Sequence, residues 1–251
     1  ELLRLYFGLN KPVHIQGKPG GGKTSLIRDF CAHTSEDGEA LPATDGPAAQ
    51  VERISVDGRI RFLRGGVATL TYIIVNLTTF EPVDMRGLPQ SDGESTRWIR
   101  PNWLPRVERD GPRGLLFFDE ANAARMMFPT LMQIFLERQC GEHAIPPGWL
   151  PVAAGNYRSD KSVAVDMPSA FNNRVATIDY VPCWQFYTRT LANRIGLSPI
   201  VAGYIRLRPY MLHLMPGERP AETHIPAIPA DARSFPTPRS VETVSDIVKQ
   251  N

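Results

Sequence analysis
The chain has 251 residues, 42% of them hydrophobic, enough to bury a full core as one large domain or as a core with a small appendage. A formal charge of +2, with Lys and Arg scattered among acids, excludes the electrostatic footprint of a dedicated nucleic-acid binder, though not a weak or induced contact. Cys31, Cys140 and Cys183 are odd in number, far apart and without a C-x-x-C or Cys/His cluster, so neither a disulfide framework nor a zinc site is indicated and a reducing cytoplasm is the expected compartment.

Taken in chain order, the first elements are informative. PVHIQ, from Pro12 to Gln16, alternates Val13 and Ile15 as a short strand does, and TSLIRDFCAH places Leu26, Ile27, Phe30 and Cys31 on one helical stripe. Between them Gly17, Gly22, Lys23 and Thr24 fit G-x-x-x-x-G-K-[ST], in the strand, turn, helix context that this phosphate-binding pattern needs. Its glycines let backbone N–H groups wrap around a polyphosphate without Cβ collisions, and the following helix adds the positive end of its dipole. The expected cofactor-binding segment is therefore Gly17, Lys18, Pro19, Gly20, Gly21, Gly22, Lys23, Thr24 and Ser25. Lys23 would reach the β- and γ-phosphates and the Thr24 hydroxyl would ligate Mg²⁺. The bland alternative is a chance match in a flexible glycine loop.

VERISVDGRIRFLRG then reads as two alternating runs about an Asp57-Gly58 turn, a hairpin lying between the P-loop helix and the next strand, ATLTYIIVNLTT. It is either decoration or a contact surface. Further on, Leu115, Leu116, Phe117 and Phe118 form an unbroken apolar run, the signature of a central parallel strand covered on both faces, and it ends in Asp119-Glu120. Carboxylates at the carboxyl end of such a strand sit where open α/β sheets bind ligands, so Asp119 can hold the Mg²⁺ water shell and Glu120 can activate water. A solvated strand end is the ordinary alternative. FPTLMQIFLERQ spaces Phe128, Leu131, Ile134 and Phe135 as a core helix with Pro129 in its first turn. LPVAAGN is another short apolar strand, ending in Asn156; MPSAFNN leads to Arg174 and the alternating VATIDYV. Beyond Pro182 a helix-patterned stretch, a proline-rich loop and a final helix started by Pro238 make a small lid, so that residues 1–181 form the core and 182–251 the lid.

The run from Gly114 to Asn156, together with EPVDMRGLP, resembles the MoxR-like AAA+ ATPases, within the clade that carries an insert in its second core helix. DMPSAFNNR and TPRS are fainter matches, and the likeness extends from Glu1 to Val181. It implies an α/β P-loop core with a parallel sheet flanked by helices and a small helical lid, assembled with copies of itself into an ATP-driven ring, usually a hexamer, that remodels a partner protein as a chaperone or motor. On this resemblance Asn156 is sensor 1, orienting the attacking water; as a residue alone it also suits the start of a turn. Arg174 is an arginine finger, or else a helix-terminal cation favoured by the dipole. Arg239 is a sensor 2 arginine, or else a solvated charge. The segments Val83 to Pro105, with Trp98 and Trp103, and Gln139 to Trp149 are the insert and the hairpin before sensor 1, facing pore or substrate; their tryptophans suit buried anchors equally well.

Two other outputs stay open: a nucleic-acid-directed motor, which the clade also contains, and a binding module in which ATP sets a conformation. No N-K-x-D motif suggests a small GTPase, and the choice of adenine rests on the resemblance. The five histidines lie apart, and the sequon at Asn76 has no meaning for a cytoplasmic ATPase. No apolar run approaches about 18 residues and no charged-then-apolar leader opens the chain, so a soluble protein without membrane contact is expected. The chain begins at Glu1 without methionine, so a longer parent chain is allowed for.

Overall fold
The computed structural model describes residues 1–41, 51–56, 59–64, 67–91, 93–158, 164–188, 196–219, 227–232 and 234–250, with the backbone alone for 51–56. The expected Asp57-Gly58 turn lies outside these residues, as do parts of the lid helix pattern and of the proline-rich loop. The chain divides into two compact units, one made of Glu1–Gly17 with Thr24–Asp179, the other of Lys18–Lys23 with Tyr180–Asn251.

The first unit opens with α1 (Leu2–Gly8), β1 (Val13–Gln16) and α2 (Lys23–Ala32), then β2 (Val51–Val56), β3 (Arg59–Arg64), β4 (Val67–Ala68) and β5 (Thr71–Asn76). There follow α3 (Pro82–Arg86), β6 (Leu88–Ser91), β7 (Thr96–Ile99), α4 (Val107–Asp110) and β8 (Gly114–Asp119). The last part holds α5 (Phe128–Met132), β9 (Gln139–Cys140), β10 (His143–Ala144), β11 (Trp149–Gly155), α6 (Ser169–Asn172) and β12 (Ala176–Asp179). Five strands pair in parallel in the order β12-β1-β11-β8-β5, and β3 joins the edge antiparallel to β5, with β2 and β4 antiparallel to β3. The hairpin of β2 and β3 is thus part of the main sheet. Phe62 stacks on Tyr72 with ring centroids 6.1 Å apart, which seals that junction.

Strand β8 is buried at its center because both faces are covered. Alternate residues of a strand point to opposite faces. Leu116 and Phe118 enter one core with Val75, Leu131, Ile134, Phe135 and Phe171, while Leu115 and Phe117 are fully buried on the other side. Gly114 is needed at the strand's start, since a Cβ there would lie 2.6 Å from the Trp149 ring and 2.8 Å from the Thr71 carbonyl oxygen. The expected helix over Phe128 and Phe135 forms, but its second half, Gln133–Glu137, is a π-helical turn, ended by Arg138 in the left-handed region. Trp103 is an anchor rather than an exposed grip: its ring packs edge-on against Phe118 at 6.1 Å and its N–H donates to the Asp84 carbonyl at 3.2 Å. The largely exposed hairpin β6–β7 and the hairpin β9–β10, anchored by the buried Cys140, are joined where the Trp98 backbone N–H donates to Glu142 at 2.7 Å.

Asp110 ties the edge hairpin to the core. Its buried carboxylate meets the Arg59 guanidinium of β3 and that of Arg109, and accepts the Arg106 N–H at 2.8 Å. Burial pushes this carboxyl up, but the Arg109 and Arg106 hydrogen bonds and the charges of Arg59 and Arg109 outweigh it and hold it below the usual range. A depressed folded-state value gives stability that is complete above the unfolded value of about 4 and is lost as pH falls through the lower folded value. Asp110→Ala should cost about 3–5 kcal/mol by removing one partner of a buried pair. Urea unfolding of wild type and variant at neutral pH and near pH 3 measures this, and the difference between them should shrink in acid.

Among its described residues the second unit has the α-helices α7 (Trp184–Phe186), α8 (Pro199–Leu207) and α9 (Pro238–Gln250). Tyr187, Leu197, Val201, Ile205, Leu212 and Val241 form its core. The buried Ser245 hydroxyl accepts the Ser198 N–H at 2.7 Å, pinning the start of α8 to α9. Thr237 and Ser240 cap α9 reciprocally, at 3.2 and 2.8 Å. Among the described residues no helix is long and apolar enough to cross a membrane.

Candidate nucleotide site
The parallel strands end level with one another. Gln16 of β1 pairs with Gly155 of β11 and with Asp179 of β12, and Asn76 of β5 pairs with Asp119 of β8. The row of carboxyl ends is where an open α/β sheet offers a ligand its crevice. Strand β11 lies between β1, which runs into the glycine loop, and β8, which carries the carboxylates. Asn156, directly after β11, therefore belongs to the same row.

Within the first unit these ends converge through hydrogen bonds. The Thr24 hydroxyl donates to Asp119 Oδ2 at 2.9 Å, and Asp119 Oδ1 accepts the Glu120 backbone N–H at 3.0 Å. Asn156 Nδ2 donates to Glu120 Oε2 at 3.2 Å. Glu120 has φ +55°, a left-handed conformation that a non-glycine residue adopts at a cost of about 1–2 kcal/mol. The turn swings its side chain out of the β8 alternation, beside Asn156. Strain of this kind gathers at functional sites. Ser25 follows Thr24 in α2, half-buried.

The loop residues Lys18, Pro19, Gly20, Gly21, Gly22 and Lys23 belong to the second unit. Gly20 and Gly22 have φ of +71° and +96°, which only glycine enters without strain. A Cβ on Gly20 would also lie 2.9 Å from Thr237. The buried Lys23 ammonium donates to the Lys18 carbonyl at 3.2 Å, and His213 Nε2 hydrogen-bonds the Pro19 carbonyl at 3.1 Å. Lys18 forms an ion pair with Glu218, whose other oxygen accepts the Met215 N–H at 2.9 Å. Burial pushes the Glu218 carboxyl up, yet the bonds from Lys18 and Met215 and the charges of Lys18 and His213 leave it below the ordinary glutamate value.

Of the residues singled out in the sequence, the structure brings Thr24, Asp119, Glu120 and Asn156 together. It leaves Arg174, just after α6, and Arg239, in the first turn of α9, with exposed side chains. One residue was overlooked: Asn122, 2% exposed, donates to the Asn156 carbonyl at 2.7 Å and accepts the Asn156 N–H at 3.1 Å. Its only sequence signal is a lone amide in the small-residue run EANAA.

The fold is an α/β one with a mainly parallel sheet flanked by helices, and the loop after β1 fits the P-loop pattern. No family model matches the chain, and no curated protein matches it. Among solved structures it is similar to a candidate ATPase from Cytophaga hutchinsonii, at 12% identity over 72% of this chain and 45% of that one, with a TM-score of 0.39. It is also similar to NtrX from Brucella abortus, solved with ADP, at 15% identity over 92% and 51%, with a TM-score of 0.42. The chain spans about half the length of these structures.

Proposed function
We propose that the chain is an AAA+ ATPase of MoxR-like type, hydrolysing ATP with Mg²⁺ as part of a homo-oligomeric ring that remodels a partner protein. The observation that carries the chemistry is the convergence of Thr24, Asp119, Glu120 and Asn156 at the level ends of parallel strands. Loop N–H groups and Lys23 hold the phosphates. Glu120 takes the proton of the water that attacks the γ-phosphorus, Asn156 orients that water, and ADP and phosphate leave.

The donor set fits Mg²⁺. A Thr24 hydroxyl and an Asp119 carboxylate are hard oxygen ligands, and Mg²⁺ keeps several waters and shares substrate phosphates rather than demanding a protein cage. When bound, Mg²⁺ neutralises charge on the phosphate oxygens. Arg174 and Arg239 meet the γ-phosphate from two different subunits, and the hairpins β6–β7 and β9–β10 face the pore or the partner protein.

Phosphate release in the presence of ATP should require Mg²⁺ and stop on chelation. Light scattering of Glu120→Gln with ATP should show a larger particle than the apo protein, because ATP-bound sites gain contacts across subunits. An ATPase that stays monomeric at micromolar concentration and above would end the ring part of the proposal, and absence of turnover under all these conditions would end the hydrolytic part.

A further inference from the structure
We infer that Asn122 is the positioning residue of this centre, holding Asn156 in register with Glu120. The inference rests on the reading of Glu120 as the base. Strand pairing carries β8 and β11 together as far as Phe118 and Ala153, after which the chain turns away at Glu120. The Ala121 N–H still reaches the Ala154 carbonyl at 2.8 Å. One residue later the Asn122 side chain continues the pairing in place of a backbone, giving its NH₂ to the Asn156 carbonyl and its oxygen to the Asn156 N–H. The chemistry of the two partners fixes which end of the amide faces which. Its own carbonyl accepts the Val165 N–H at 2.9 Å, so the chain beyond β11 is tied to the same residue.

Gly155 is part of the device. A Cβ there would stand 2.6 Å from Asn122 Oδ1, so the side chain fits only against a glycine. No other side chain of this length offers a donor and an acceptor side by side. Aspartate keeps the acceptor but sets an oxygen against the Asn156 carbonyl, and alanine leaves both backbone groups of Asn156 without the amide. Because Asn156 in turn donates to Glu120, any shift of its backbone moves the base. A displacement near 1 Å in a reacting constellation lowers turnover by about 10²-fold.

The experiment compares Asn122→Ala, Asn122→Asp and Gly155→Ala with wild type in the full chain, by fluorescent ATP-analogue titration and phosphate release. The expected result is a kcat lower by about 10²-fold with nucleotide Kd unchanged. The double variant Asn122→Ala/Asn156→Ala should turn over no more slowly than Asn156→Ala alone, since Asn122 acts only through Asn156. Wild-type kcat in Asn122→Ala, or multiplicative losses in the double variant, would overturn the inference. If the alanine variant does not fold, Asn122→Asp, which preserves shape, is judged by the same two readouts. Glu120→Gln separates the levels: if it turns over normally the assigned base is wrong, whereas if it stalls while the Asn122 variants run normally, only the positioning role is wrong.

Discussion

Lys23→Ala should abolish nucleotide binding, whereas Glu120→Gln should bind ATP and stall. The two residues act on different parts of the reaction. The Lys23 ammonium donates to the Lys18 carbonyl, and in the proposed role it meets the β- and γ-phosphates, so alanine should remove that contact along with its charge. Glu120 has no such part in affinity. Its carboxylate receives the Asn156 amide, and in the proposed role of base it takes a proton from the attacking water, so glutamine should keep the size and an acceptor oxygen while removing the base. Loss of a positioned general base lowers turnover by about 10²–10⁴-fold. Fluorescent-nucleotide titration should therefore separate the variants by affinity, and phosphate release should find both inactive. Thermal melts without nucleotide guard against the trivial outcome, since Lys23 is buried and its removal affects packing. Wild-type turnover in Glu120→Gln would remove Glu120 from the role of base.

Features that depend on a local pattern could be read from the chain. The apolar run of β8 needs only its own four residues to declare a strand covered on both faces, and the glycine loop needs only its neighbours to declare strand, turn and helix. Features set by register could not. The alternation of β2 and β3 marks strands, but nothing in it says that β3 would pair with β5 and lengthen the sheet. Asn122 becomes significant only when β11 is laid beside β8, which places Asn156 opposite it 34 residues later. The left-handed turn at Glu120 carries no glycine or asparagine to announce it, because the tertiary bonds around it, not local preference, impose it. The Lys18 and Glu218 pair joins residues 200 positions apart, and charge composition is blind to such a meeting.

Arg174 should work in trans, on the nucleotide of a neighbouring subunit. Its placement suits that task. The Arg174 N–H is bonded to the Phe171 carbonyl at 3.0 Å, and the residue stands between the buried Phe171 and the buried Val175 with its own side chain exposed. An arginine finger is worth about 10³–10⁵ in turnover, and Arg174→Ala alone should therefore be nearly inactive although its Glu120 is intact. Glu120→Gln should be inactive for the complementary reason. When the two variants are mixed under conditions that allow subunit exchange, some interfaces join an intact Glu120 on one subunit to an intact Arg174 on the next, and those interfaces should hydrolyse ATP. The measurement is steady-state phosphate release from the mixture against each variant alone, with exchange verified by tagging. Partial recovery would place the finger across the interface. No recovery despite proven exchange leaves two arrangements, an Arg174 that serves its own subunit or a ring that fires only when every site is competent. Doping a little Arg174→Ala into wild-type rings separates them: loss in proportion to the dose means independent sites, and loss out of proportion means that the sites fire together.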